Sequence, residues 1–322
     1  MITIGFCSPS TPITAISPIR FARAKQYLKG KGAKMVAGSL TGQSDHYRSG
    51  TISARAAEVN ELIHNKDVDI MMMTIGGTNT NAILPYIDYE ALRQSPKTIV
   101  GYSDATALLL AIKTQAPACR VLYGPALVSS FGEWPPFVDE TWRMFQEIVQ
   151  TPIGGRVTIQ KPQYWDDEAI NWDRFLQTKQ QRPNQWQATD QTVLTGRIIG
   201  GNLNTMYGIL ASPYFPSLSK TNLLLIEDAE KDAATVEKNF AMLKNAGIFS
   251  QIGGIILGKH ALFDDLGTGC QPVDILQEVL GDLKCPIIYD YDSCHTVPMM
   301  TTPLGAMAII DADQGQVTFS DF

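Results

Sequence analysis

Ser103 stands where a strand pattern gives way to a helix pattern. Residues 97–102 (KTIVGY) read as a short buried strand and 104–115 (DATALLLAIKTQ) as a helix, with the serine alone at the turn. A serine so placed has its hydroxyl pushed out of the sheet, and the unpaired N–H groups of the first helical turn point into the same space. Such donors can hold the negative oxygen formed when a hydroxyl attacks a carbonyl. Asp104 and Thr106 are equally plausible helix caps, which would make this an ordinary turn.

A serine nucleophile needs a base, and the chain holds four histidines. His46 falls in a polar loop, GQSDHYRSG, where it reads as solvated. His64 lies near a helix end, where a histidine complements the helix dipole. His260 follows a strand in LGKHALF and is placed to line a cleft. His295 also follows a strand, in a loop rich in Asp, Ser and Thr. An acid that could orient the base is Glu227, which ends the apolar strand NLLLI. The alternative for Glu227-Asp228 is an acidic pair capping the next helix.

Two other chemistries have weaker patterns. Gly76-Gly77-Thr78-Asn79 follows a strand and is glycine-rich enough to cradle a phosphate, but neither GxGxxG nor GxxxxGK[ST] is present. Asp290, Asp292, Cys294 and His295 are metal ligands by type only, without HExxH or paired Cys/His spacing.

The elements that must position these residues alternate strand and helix. Strands are expected at 2–7, 33–37, 68–74, 97–102 and 120–123, and helices at 17–28, 53–65 and 137–149. Strand–helix–strand at this spacing implies right-handed crossovers and a mostly parallel sheet with helices on both faces. Ligands in such sheets bind beyond the carboxyl ends of the strands, where Gly76-Gly77 and Ser103 fall. From 151 to about 191 the pattern breaks into a polar stretch carrying Trp165, Trp172 and Trp186, read as a linker and active-site loop region. Strands then return at 192–199, 222–226, 254–257 and 286–289, with helices opening at Asn202, Asp232 and Pro272, and a hairpin closes the chain across ADQG. The fold class is therefore α/β, with an N-terminal domain at 1–150 and a second α/β domain at 192–322.

With 322 residues, 44% hydrophobic and 18% charged, the chain has the composition of a globular protein long enough for two cores. A net charge of −6, without a dense basic cluster, argues against nucleic acid as a partner. No apolar run approaches the roughly eighteen residues of a membrane helix, and the first residues lack the basic start and apolar core of a secretory signal. Five scattered cysteines without a CxxC pair suit reduced thiols, so the expected compartment is the cytoplasm.

Taken together, GYSDATALL around Ser103, TIGGTNTNAILPYIDY from Thr74, GGNL at Gly200, IEDAE around Glu227 and the His295 loop with TPLGAMAIID resemble the LD-carboxypeptidase family of serine peptidases. Within it they are nearest the microcin C immunity, MccF-like, branch. The motifs keep the family's order over nearly the whole chain. The resemblance implies a Ser–Glu–His triad of Ser103, Glu227 and His295. It implies a nucleophile from the N-terminal domain, acid and base from the C-terminal domain, a cleft between them, a homodimer, and neither metal nor cofactor. In that arrangement the N–H groups of Gly77 and Asp104 form the oxyanion hole.

Members that cleave murein peptides carry RGGYG after the third strand, whereas this chain has IGGTNTN, with Thr78 where an aromatic is expected. Trp186, in NQWQ, resembles a tryptophan the family sets near the nucleobase-like end of its substrate, or else packs the linker. Asn202 is placed to bind a substrate carboxylate or amide, or to cap its helix. Lys231, four residues after Glu227, can pair with a free carboxylate or simply be solvated. The expected activity is hydrolysis of an amide bond in a small peptidic or aminoacyl-nucleotide-like substrate. The alternatives are murein tetrapeptide trimming, a catalytically silent protein that sequesters the same ligands, and an α/β-hydrolase, which expects G-x-S-x-G where this chain reads Gly101-Tyr102-Ser103-Asp104-Ala105.

Overall fold

The computed structural model describes residues 2–173, 179–293 and 295–322. The first part of the chain lays down β1 (Thr3–Cys7), β2 (Lys34–Ala37), β3 (Ile70–Met73), β4 (Thr98–Gly101) and β5 (Arg120–Tyr123). There follow β6 (Arg156–Gln160), the two-residue strands β7 (Tyr164–Trp165), β8 (Arg182–Pro183) and β9 (Gln187–Ala188), and then β10 (Val193–Asn202) and β11 (Asn222–Glu227). The last strands are β12 (Gly254–Gly258), β13 (Ile287–Tyr291), β14 (Thr302–Leu304), β15 (Met307–Asp311) and β16 (Gln316–Ser320).

These form a six-stranded sheet in the order β14-β5-β4-β3-β1-β2, an eight-stranded sheet in the order β6-β16-β15-β10-β11-β12-β13-β9, and a separate antiparallel pair of β7 and β8. All neighbours from β5 to β2 are parallel. In the second sheet only β10 to β13 run parallel. The fold is thus two α/β domains, as the alternation of patterns predicts. β3 reads IMMM without a polar break because both of its faces are covered, and all four residues are buried.

The helix Thr106–Gln115 is buried at every position from Thr106 to Ile112. A helix apolar all round lies inside a protein, and this one touches β4 and β5 of the first sheet and β10 of the second. The segment that follows Ser103 is therefore fixed from both sides.

Two features depart from the pattern reading. The stretch 151–191, expected as a linker, supplies β6 to one edge of the second sheet, paired with β16, and β9 to the other edge, paired with β13. The sequence RVTIQ hides this because an edge strand buries little: of β6 only Ile159 is fully covered. Conversely β14, from the C-terminal part, pairs antiparallel with β5 and completes the first sheet.

Candidate active site

β4 ends at Gly101, and the chain reverses through a 3-10 turn, Ser103–Ala105, before the helix begins at Thr106. The turn is tight enough to force Ser103 to a φ of +61°, a left-handed conformation that costs a non-glycine residue roughly 1–2 kcal/mol. Gly101 permits it: a Cβ there would stand 2.6 Å from Met73 and 3.0 Å from Ala105. Ser103 donates its N–H to the phenolic oxygen of Tyr123 at 3.0 Å. Opposite the hydroxyl lies Gly76, where a Cβ would come within 2.8 Å of Ser103 Oγ.

Asp104, expected as a possible cap, has its carboxylate turned to the glycine loop. Its Oδ2 accepts from the N–H of Asn79 at 3.0 Å, the N–H of Thr80 at 2.9 Å and the hydroxyl of Thr80 at 2.7 Å. The serine turn and the 76–80 loop are thereby tied together, and both the Gly77 and Asp104 residues line the same cavity.

From the second sheet, Glu227 arrives at the end of β11 in register with Asn202 at the end of β10. Its side chain is 0% exposed. Oε2 lies 2.6 Å from Nδ1 of His295, and Oε1 accepts from the Tyr123 hydroxyl and, at 3.1 Å, from Asn202 Nδ2. Burial pushes the Glu227 carboxyl up, but the charge of His295 and the hydrogen bonds from His295, Tyr123 and Asn202 outweigh it, and the net shift is downward. For His295 burial favours the neutral ring, while Glu227, then Asp228 and Glu230, favour the charged one, and the net shift is upward. The His295 ring packs edge-on against Tyr102 at 4.8 Å between centroids. An imidazole held by a buried carboxylate at Nδ1 presents Nε2 to its surroundings as a proton acceptor.

Ser103 and His295 both line one cavity of about 690 Å³ between the sheets, together with Asn202 and Lys231. Asn202 caps the helix Leu203–Tyr207 through its side-chain oxygen, as one of its two readings expects. Lys231 donates to the Ala229 carbonyl at 3.1 Å. Asp228, buried beside Glu227, accepts from the Asn204 N–H at 3.2 Å. The following helix, Ala233–Asn245, is capped by Asp232 instead.

Trp186 is set apart from this cavity, which corrects its assignment as a substrate contact. It is 2% exposed, stacks at a tilt on Tyr291 and donates its indole N–H to Asp292 at 2.7 Å. The tryptophan that lines the cavity is Trp172, with the Arg20 guanidinium 4.5 Å above its ring. The two differ by nothing visible in a polar stretch holding three tryptophans. Tyr123 was also missed, although the strand-end rule that found Ser103 and Glu227 points to it.

The remaining histidines lie elsewhere. His46 is exposed, His64 is exposed and 2.8 Å from Asp88, and His260 lines a separate cavity with Nδ1 3.1 Å from the Gly258 carbonyl. Of the acids considered as metal ligands, Asp292 is neutralised by Lys259 at 2.6 Å and Asp290 accepts from Gln187 at 2.9 Å, while Cys294 lies outside the described residues.

Residues 4–124 match the LD-carboxypeptidase N-terminal domain and 195–310 the LD-carboxypeptidase C-terminal domain. The chain is 51% identical to a Vibrio cholerae protein provisionally named a carboxypeptidase, over 99% of this chain and 95% of the relative. It is 44% identical to the microcin C7 self-immunity protein MccF of Escherichia coli, over 99% of this chain and 93% of that protein. The solved structure of wild-type MccF without ligand superposes with a TM-score of 0.96, covering 100% of this chain and 96% of that one. An MccF-like protein of Bacillus anthracis, 26% identical, superposes at 0.85 over 99% and 96%. Other MccF structures hold aspartyl sulfamoyl adenosine, glutamyl sulfamoyl guanosine or, in a tryptophan-to-phenylalanine variant, adenosine monophosphate. This chain belongs to the LD-carboxypeptidase family of serine peptidases.

Proposed function

We propose that the chain hydrolyses the amide bond of an aminoacyl- or peptidyl-nucleotide-like conjugate through a triad of Ser103, Glu227 and His295. The observation that carries the reading is the 2.6 Å pair of Glu227 and His295, buried at the wall of the cavity onto which the strained Ser103 turn opens. Ser103 Oγ attacks the carbonyl carbon as its proton passes to Nε2 of His295, and Glu227 holds the imidazole in the required tautomer and stabilises its charged form. The oxygen that gains charge is held by the N–H groups of Gly77 and Asp104, each donor typically worth about 3 kcal/mol. Collapse returns the proton from His295 to the leaving amine, giving an acyl-serine. Water, deprotonated by His295, releases the acid and restores the hydroxyl.

The substrate class is supported by the sulfamoyl nucleotides bound to MccF. An MccF active-site variant has a serine, an asparagine and a lysine replaced by alanine, and here Ser103, the cavity-lining asparagines Asn202 and Asn204, and Lys231 follow in that order. In this reading Lys231 pairs with the free carboxylate of the acyl part, and Trp172 stacks on the nucleobase. We also read the protein as a cytoplasmic homodimer; Cys7, Cys119, Cys270 and Cys285 are free thiols, and sedimentation of the purified chain tests the dimer.

The experiment is a side-by-side incubation with aspartyl sulfamoyl adenosine and a murein tetrapeptide, followed by mass spectrometry. Release of aspartate with little tetrapeptide trimming is the expected result. Turnover of the tetrapeptide alone would move the protein to cell-wall peptide recycling.

A further inference from the structure

The geometry points to Tyr123 as a positioning residue that sets the acid and the nucleophile turn in one register across the two sheets. The inference rests on the triad proposed above. Tyr123 is the last residue of β5, paired in register with Gly101, two residues before Ser103. Its hydroxyl donates to Glu227 Oε1, and the same oxygen accepts the N–H of Ser103 at 3.0 Å. One buried phenol thus connects the carboxylate that holds His295 to the backbone that carries the nucleophile.

The surroundings are built to receive it. Tyr123 is 0% exposed. A Cβ on Gly201, which has a φ of +150°, would stand 2.8 Å from Tyr123 Cε2 and 2.7 Å from Thr106 Oγ1. The absence of a side chain at Gly201 lets the end of β10 come this close, and the next N–H, that of Asn202, is donated to Thr106 at 3.0 Å. The phenol therefore sits where the end of β10 packs against the first sheet.

Because Oε1 of Glu227 shares its charge with Tyr123 and Asn202, less of that charge acts on His295. Removing the hydroxyl strengthens the pull of Glu227 on the imidazole and leaves the Ser103 N–H without its acceptor. The other charged or titratable groups facing His295 are Asp228, Glu230 and His260, and Tyr102 packs against its ring.

The test uses aspartyl sulfamoyl adenosine with wild type, Tyr123→Phe, Tyr291→Phe and Ser103→Ala, with kcat normalised to folded enzyme by circular dichroism. Tyr291 is a second fully buried tyrosine whose hydroxyl lies 3.2 Å from Thr302, away from the cavity. Tyr123→Phe is expected to lower kcat about 10- to 100-fold with KM within about twofold, and to move the acid limb of kcat/KM to higher pH. Tyr291→Phe is expected to lower the melting temperature alone. Replacement of Tyr123 by 3-fluorotyrosine, a more acidic phenol, is expected to move the limb to lower pH, and it supplies the test should the phenylalanine variant fail to fold. With Ser103→Ala inactive, a Tyr123→Phe enzyme whose kcat and limb match wild type, or a fluorinated enzyme whose limb does not move, overturns the role of Tyr123. Turnover retained by Ser103→Ala instead overturns the triad.

Discussion

Glu227 and His295, 68 residues apart in the chain, meet at 2.6 Å with the carboxylate fully buried and the imidazole at the cavity wall. The pair is coupled: each partner favours the charged form of the other, so Glu227 is held below the usual carboxylate range and His295 above 6.5. As a general base His295 works only when neutral, so kcat/KM is expected to rise with pH along a limb centred above about 6.5. Stability carries the opposite sign for the histidine. Its raised pKa stabilises the fold most below 6.5, and that contribution is lost as pH rises through the folded value.

Glu227→Gln keeps the shape and removes the charge. The amide no longer favours imidazolium and can set the wrong tautomer, so kcat is expected to fall roughly 10³- to 10⁴-fold. The acid limb of the residual activity moves to lower pH, because burial then dominates at His295. A pH–rate profile of the variant checks both; a limb displaced to higher pH would contradict the assignment.

Gly76→Ala tests the face opposite the nucleophile. The added Cβ would lie 2.6 Å from Ser103 Cβ and 2.8 Å from its Oγ, so either the loop or the serine must shift. Turnover is expected to drop by about 100-fold, as a displacement of about 1 Å at the reacting atom can cost that much. Unaltered kinetics would mean that the 76–80 loop does not approach the reacting centre.

The two tryptophans should separate cleanly. Trp172→Ala is expected to raise KM for aspartyl sulfamoyl adenosine roughly 10-fold, in line with about 1–3 kcal/mol for an aromatic stacked on a base. Trp186→Phe should leave KM unchanged and lower the melting temperature, since it costs the bond to Asp292 and leaves that acceptor short of a donor. Calorimetry and steady-state kinetics on both variants decide it, and a KM effect at Trp186 alone would reverse the placement.

Ser103, Glu227 and Asn202 were legible because all three end or follow short apolar strands, and a parallel sheet brings such ends to one edge. The resemblance then singled out His295, which local pattern left level with His260. What stayed hidden depended on contacts between distant parts. Tyr123 ends its strand as Glu227 does, but nothing local shows that its hydroxyl reaches Glu227 from the other sheet. Trp172 and Trp186 share a composition and differ only in which way the chain turns. The edge role of β6 has no local signature because that strand buries little, and β14 has none because it is three residues long with Pro303 at its centre, although all three are buried.

The most direct test of the central claim compares wild type with Ser103→Ala on aspartyl sulfamoyl adenosine, following aspartate release and, by calorimetry, binding. The account predicts that release falls by at least about 10³-fold while the variant still binds the compound within a few-fold of the wild-type affinity. Undiminished release from a correctly folded Ser103→Ala protein would contradict it.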